Sequence, residues 1–489
     1  MKSFHIVPFI YDGDKYESVV EKYSNKDLQG NLVKLNGWQL KDTSAQQLFY
    51  NIENLISSKN DNGRIGIMLE RDLKDSVVTI NNKTVKVLKT SEGNFKFSYK
   101  NIKLFLFETG IGFLCLEIEF FKSTDIVLGN YYFKKFNHSH IEEDYDFEDE
   151  DFIDKLQNEI IQFETKGNIK ASESKKKILL KISEKLKRNE MISKIIEESG
   201  VECTSFFTNK SDADYGHVFT YVDVDNNKSL DDINNMLYYL KNSYKPSYKP
   251  TKNDLDSNIQ LYENVWWGMS IEALCCVAQY TENEKTDKFI KSTLGSEKIE
   301  RIYLYIYIIM LHMRYALLNY IIQASSLPRR FKDYEKENVD TLNKLKEKII
   351  MLDLRCIFND VSNISAHIKI FDMMRNVLRI DKLESEISNE IDKFTKIIQI
   401  HNEKKGNELK EEQRMKNEAI QNYIQIVTFS FAVFAFGSAI KDVTDSIINI
   451  VYGNYEQTKF YFSVPISIIT LGIILFGKLV VIRKNDKRK

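Results

Sequence analysis

From Ile424 to Ile440 the chain reads IQIVTFSFAVFAFGSAI, without a single charge, and it arrives there through Lys404, Lys405, Lys410, Arg414 and Lys416. A charge-free run of this length approaches the roughly 20 residues that a bilayer core demands of a helix. Beyond Asp445 the segment IINIVY can carry the helix on to Tyr452, giving a long, tilted span over 424–452. A second run, 460–482, contains only Lys478, close to its end, and a basic tail, 483–489, closes the chain with Arg483, Lys484, Lys487, Arg488 and Lys489. Two such runs in succession predict a transmembrane hairpin. The basic flanks predict that both termini are cytoplasmic in a cell (inner or plasma) membrane and that Tyr452 to Lys459 faces out. The competing reading is a buried hairpin of a large soluble protein, which the charged flanks disfavour.

The remaining four-fifths has ordinary globular composition, with 43% hydrophobic and 28% charged residues, enough for two or three domains. A formal net charge of -1 removes any bulk electrostatic case for direct nucleic-acid binding. Cys115, Cys203, Cys275, Cys276 and Cys356 are odd in number and form no CxxC pair, so they are read as reduced and mostly buried. No apolar leader precedes a small-residue cleavage site, so no signal peptide is expected.

Residues 1–245 predict a mixed α/β cytosolic domain. The β-favouring runs FHIVPFIY, RIGIMLE, SVVTI, KTVKVLK, KLFLFET and FLCLEIEF alternate with one amphipathic segment, TSAQQLFYNIENLISS. Glu108 to Gly112 predicts a hairpin turn with glycines at positive φ, and it lacks the spacing of a phosphate loop. The acidic run Glu142 to Asp151, behind His138 and His140, suits a solvated loop better than a metal site. Lys175 to Arg188 is a basic amphipathic segment that suits a solvent-facing helix better than a headgroup or nucleotide contact. HVFTYVDVD and SLDDINNMLYYLKN predict a strand and a capped helix. Pro246 and Pro250 in SYKPSYKPTKND then mark a domain boundary. Residues 256–329 are expected to be a helical cytosolic region, whose most apolar part, IERIYLYIYIIMLHMRYALLNYIIQ, is assigned to the buried core because His312 and Arg314 sit in its middle. Residues 330–423 predict long stalk helices running into the membrane, with Gly406 and Asn407 able to interrupt the last.

Within 424–452, Thr428, Ala435, Ser438, Asp442, Asp445 and Asn449 follow one another at steps of three, four or seven and share one helical face. Carboxylates on a membrane helix need water or a partner, and rings of Asp in an oligomer make cation-selective pores. The alternative is that Lys441, Asp442 and Asp445 mark the outer interface and the helix ends there.

The order of elements, a mixed α/β body, a stalk helix entering the first span, Tyr452-Gly453-Asn454 between the spans, then Glu456, Lys459 and Val464-Pro465 at the second, resembles the CorA-like divalent-cation channels. That family carries Tyr-Gly-Met-Asn at this place, and here the methionine is missing. The resemblance covers about 70 C-terminal residues in detail and the rest in architecture. It implies a homopentamer whose first membrane helices line the pore, with Gly453 and Asn454 at the outer mouth. The Asn454 amide oxygen would meet a hydrated cation, magnesium being the divalent ion to expect. A plain turn is the other reading of Gly453-Asn454.

The enlarged N-terminal region is more similar to the divergent CorA-like proteins that accompany type III CRISPR systems. This similarity implies an antiviral effector gated by an adenine-containing nucleotide messenger, an S-adenosylmethionine–AMP conjugate, with Trp266 and Trp267 as stacking candidates against core packing. An ordinary magnesium transporter, and a membrane-tethered enzyme or signalling scaffold, stand as alternatives. No Walker loop, HExxH or GxSxG motif is present, and His217 beside Asp212 and Asp214 is the only compact acid and imidazole grouping, so an enzyme is not expected.

Overall fold

The computed structural model describes residues 1–25, 32, 34–43, 45, 47–59, 64–71, 86–90, 93–135, 147–148, 195–205, 216–251, 254, 258–326 and 336–452. The chain divides into two units, Met1–Phe394 and Thr395–Lys489.

The first unit is built on one mixed sheet. In chain order its strands are β1 (Lys2–Tyr11), β2 (Trp38–Lys41), β3 (Gly66–Arg71), β4 (Lys86–Thr90), β5 (Gly93–Phe107), β6 (Ile111–Phe120), β7 (Phe147–Glu148), β8 (Cys203–Ser205), β9 (His217–Val224), β10 (Ile259–Tyr262), β11 (Val265–Met269) and β12 (Ala273–Gln279). The spatial order is β10-β11-β12-β9-β1-β6-β5-β3-β2, with β4, β7 and β8 pairing off this path. Along the path every pairing is antiparallel except that of β9 with β12. The predicted runs FHIVPFIY, RIGIMLE, KLFLFET and FLCLEIEF fall in β1, β3, β5 and β6, and KTVKVLK overlaps β4. SVVTI lies outside the described residues.

The helices are α1 (Tyr16–Ser24), α2 (Tyr50–Glu53), α3 (Ser123–Lys135), α4 (Leu230–Asn242), α5 (Glu284–Lys288), α6 (Leu304–Ser325), α7 (Lys336–Cys356), α8 (Ser365–Val377) and α9 (Ile380–Tyr452). A π-helical stretch, Phe289–Tyr303, joins α5 to α6. Strand alternation sends the two sets of side chains to opposite faces. Val7, Phe9, Leu104, Leu116, Val222, Trp266 and Val277 form one core with Val19 and Val20 of α1, Ile126 and Tyr131 of α3, and Leu237 and Leu240 of α4. The other face carries Phe107, Phe113, Phe219 and Trp267, which meet aromatic rings of α6 and the π-helical stretch. Buried apolar surface on both faces of the sheet gives three layers, α/β/α.

Three expectations about this unit are corrected. Among its described residues TSAQQLFYNIENLISS makes a single helical turn, α2, because the Phe49 N–H donates to the Val361 carbonyl, the Ile56 N–H to the Tyr305 hydroxyl and that hydroxyl to the Ile52 carbonyl, rather than all along one helical face. No domain boundary falls at SYKPSYKPTKND. Residues 259–279 are strands, not helices, and β12 pairs in parallel with β9 from Ala273↔Val218 to Gln279↔Val224. A parallel pair needs a crossover, and α4, which packs on β11 and β12, begins it. Its start follows the capping box the sequence announces, with Ser229 accepting from the Asp232 N–H and Asp232 from the Ser229 N–H. Finally, only Gly110 of the β5–β6 turn has positive φ, +80°. Gly112 lies within β6 beneath the Phe9 ring, where a Cβ would come 2.2 Å from the ring carbon Cζ.

Among the described residues, two helices are long and apolar enough to cross a membrane by length and composition: Glu284–Ser325, whose most apolar window is 78% buried in the body, and Ile380–Ile447, whose window is 0% buried. The first belongs to the core, as its central His312 and Arg314 suggest. His312 stacks on Phe107 at 3.9 Å and bonds through Nε2 to the Thr109 hydroxyl at 2.9 Å. Arg314 donates to the Leu378 carbonyl just beyond α8, placing a cation where the helix dipole is negative.

Candidate membrane-spanning segment

The last of the described helices, α9, starts after a sharp break. Arg379, with φ of +56°, separates α8 from α9, which Ile380 opens. Within the first unit, Ile380, Leu383, Ile387 and Phe394 are buried, at helical spacings of three, four and seven. Gly406 and Asn407 do not interrupt the helix, which continues to Tyr452, 73 residues in all. At about 1.5 Å per residue this is roughly 110 Å of unbroken helix.

In the second unit the residues from 402 to 423 are polar almost all round and, apart from Gly406, exposed. Such a segment lacks a packed face and is held by pairs along the helix. Gln399 bonds to Glu403 at 3.0 Å, Lys416 pairs with Glu412 at 2.7 Å, and Arg414 pairs with Glu418 at 3.2 Å. Each contributes only about 0.3–0.5 kcal/mol in water. Past Tyr423 the composition reverses. Phe429, Phe431, Phe434, Phe436, Val443 and Ile447 are all exposed, Phe431 at 72%. Water disfavours such a surface, whereas hydrocarbon accepts it. Three serine hydroxyls here bond along the helix itself: Ser430 donates to the Ile426 carbonyl at 2.7 Å, Ser438 to Ala435 at 2.8 Å and Ser446 to Asp442 at 2.7 Å.

The unbroken helix keeps the expected polar stripe in phase. Thr428, Ala435, Ser438, Asp442, Asp445 and Asn449 all fall within α9. Asp442 is exposed and Asp445 half-buried. Phe431 lies on the same stripe, and with it the steps alternate three and four from Thr428 to Asn449. Its place at the three-four spacing marks it, although its side chain is apolar. Gly453, Asn454, the loop to Lys459, the second run 460–482 and the tail 483–489 lie outside the described residues. So do His138, His140, the acidic run apart from Phe147 and Glu148, Lys175 to Arg188, Asp212 and Asp214.

The other candidate residues are core residues. Trp267 is fully buried between Phe219, at 6.1 Å, and Tyr303, at 4.6 Å, and Trp266 is buried on the opposite face of the sheet. Neither offers a ring face to an adenine, because strand β11 has layers on both sides. His217 bonds through Nε2 to the Tyr315 hydroxyl at 2.7 Å. Burial pulls the pKa of His217 and of His312 down to about 3 and that of His367 to about 4. Cys115, Cys275, Cys276 and Cys356 are buried and Cys203 half-buried, all as free thiols.

At the β5–β6 turn, Glu108 accepts from Arg355 of α7 at 2.7 and 2.9 Å, and Arg355 also donates to the Arg64 carbonyl at 2.7 Å. Burial raises the Glu108 pKa, with Arg355 pulling it back. These bonds tie the sheet to the helical layer and form no reactive grouping. Among the described residues, no three His, Cys, Asp or Glu side chains gather to hold a metal ion. No protein-family model and no curated protein matches the sequence.

Proposed function

We propose that the chain is a CorA-like, homo-oligomeric membrane cation channel and not an enzyme. The observation that carries this is one helix that is buried in the body at its start, solvent-facing in its middle and apolar on the outside at its end, with a stripe bearing two carboxylates. Hydrocarbon cannot satisfy Asp442 and Asp445. Copies of α9 that turn their stripes towards a common axis give those carboxylates water and one another. Carboxylate rings attract cations and exclude anions. A hard divalent ion such as magnesium, which dehydrates reluctantly, would pass with much of its water shell, and the resemblance to the CorA-like family places Gly453 and Asn454 at the outer mouth. The same resemblance supports a pentamer, a second span over 460–482 and cytoplasmic termini.

Gating by a nucleotide messenger belongs to this proposal through the resemblance to the type III CRISPR-associated proteins. Its pocket lies elsewhere than Trp266 and Trp267. A ligand acts on the pore to the extent that it binds the open and closed states differently.

The test is ion flux in liposomes holding the full-length protein, followed with magnesium-sensitive and monovalent-sensitive dyes, with and without the S-adenosylmethionine–AMP conjugate. The expected result is cation flux that rises on adding the conjugate. Flux indifferent to it would indicate an ordinary magnesium transporter. No flux under either condition would leave a tethered enzyme or scaffold.

A further inference from the structure

The phase of the pore stripe can be carried past the membrane, because α9 runs unbroken through Gly406 and Asn407. Counting back from Thr428 by alternate fours and threes gives Ile424, Gln421, Asn417, Arg414, Lys410 and Asn407, all exposed. From Asn407 to Gln421 this continuation is basic and amide-bearing, with no acid; the next step back is Glu403. The acidic residues of the same stretch, Glu408, Glu411, Glu412 and Glu418, fall off it. Arg414 leans sideways to Glu418 at 3.2 Å, and Lys416 pairs with Glu412, both away from the stripe.

We propose that Lys410 and Arg414 of the assembled copies form a cationic ring at the cytosolic mouth that binds a compact polyphosphate anion and thereby plugs the pore. This rests on the channel reading above, since one copy supplies only two of the charges. The chemistry selects the ligand. Lysine is a compact point charge, arginine a planar fork matched to phosphate oxygens, and Asn417 and Gln421 add amide donors just above them. Lys410 and Arg414 are about 6 Å apart along the axis, a span over which a short linear chain of phosphates distributes its charge. A cation-selective pore whose stripe is acidic at Asp442 and Asp445 has no electrostatic use for an empty basic ring at its other end. A bound polyanion neutralises that ring while obstructing the path.

The experiment measures current through the full-length protein in a planar bilayer with potassium as the permeant ion, because tripolyphosphate, the probe, chelates divalent ions. Tripolyphosphate is expected to block from one side of the bilayer only. Lys410→Gln with Arg414→Gln should raise the blocking concentration by about tenfold or more, and Lys404→Gln with Lys405→Gln, off the stripe, should leave it unchanged. Absence of block, block unaltered by the double substitution, or equal relief by the off-stripe pair would overturn the proposal. If the wild-type protein carries no current, the channel reading fails separately. Calorimetric titration of tripolyphosphate into the detergent-solubilised oligomer then decides the ring. Binding lost with Lys410→Gln and Arg414→Gln supports it, and no binding, or binding unchanged by those substitutions, overturns it.

Discussion

Replacing Asp442 and Asp445 together by asparagine is expected to reduce cation flux through the full-length protein by about tenfold or more, with the oligomer intact by size-exclusion chromatography. The substitution keeps side-chain size and hydrogen-bonding capacity and removes only charge. Both residues sit on the stripe that runs at alternating three- and four-residue steps from Thr428 to Asn449, so they face whatever the stripe faces. In a narrow pore with low-dielectric walls, a ring of carboxylates concentrates cations far more than the same charges would in open water. Glutamate at the two positions should restore most of the flux, which separates loss of charge from loss of shape. Unchanged flux in the asparagine variant would mean that the two carboxylates lie at the outer interface, where headgroup water solvates them.

Acidification should destabilise the body steeply. The imidazoles of His217, His312 and His367 are buried, with pKa values of about 3, 3 and 4. In the unfolded chain they titrate near the ordinary value of about 6.5. Depressed values mean that the unfolded chain takes up protons the fold refuses. Their contribution to stability is therefore intact above about pH 6.5 and falls as the pH drops towards the folded values, by about 1.4 kcal/mol per pH unit for each histidine and about 4 kcal/mol for all three. Glu108 and Glu117, whose pKa values burial raises, act in the opposite sense and offset part of this loss. Thermal unfolding of the detergent-solubilised protein across this range measures it. His312→Gln, which keeps a partner for Thr109 while removing one imidazole, should flatten the dependence by about a third. A melting temperature indifferent to pH would contradict the burial of these rings.

What the sequence revealed and what it hid have physical causes. Strands β1, β5 and β6 were legible because their apolar runs are bounded by turn residues, and α4 because Ser229 and Asp232 form a capping box. The reach of the body across Pro246 and Pro250 was not. Prolines mark a loop, but whether the loop separates domains depends on where the next strand pairs, and β12 returns to lie beside β9 through contacts some 55 residues apart in the chain. The aromatic pair Trp266-Trp267 was ambiguous for a related reason, since alternation along a strand buried on both faces hides both rings. The stripe in α9 was legible because helical phase is a local property. That phase holds across Gly406 because the i,i+4 pairs around it support the helix where packing does not.

The claim that α9 lines a cation pore is tested most directly by introducing single cysteines along Thr428 to Asn449 in a background lacking the five native cysteines, none of which lies in α9. Loss of flux is then followed as a small, water-soluble, cationic thiol reagent is added. Block is predicted at 428, 431, 435, 438, 442, 445 and 449 and not at 429, 436 or 443, the three-four periodicity of one wetted face. Block without that periodicity, or confined to the opposite face, would contradict it.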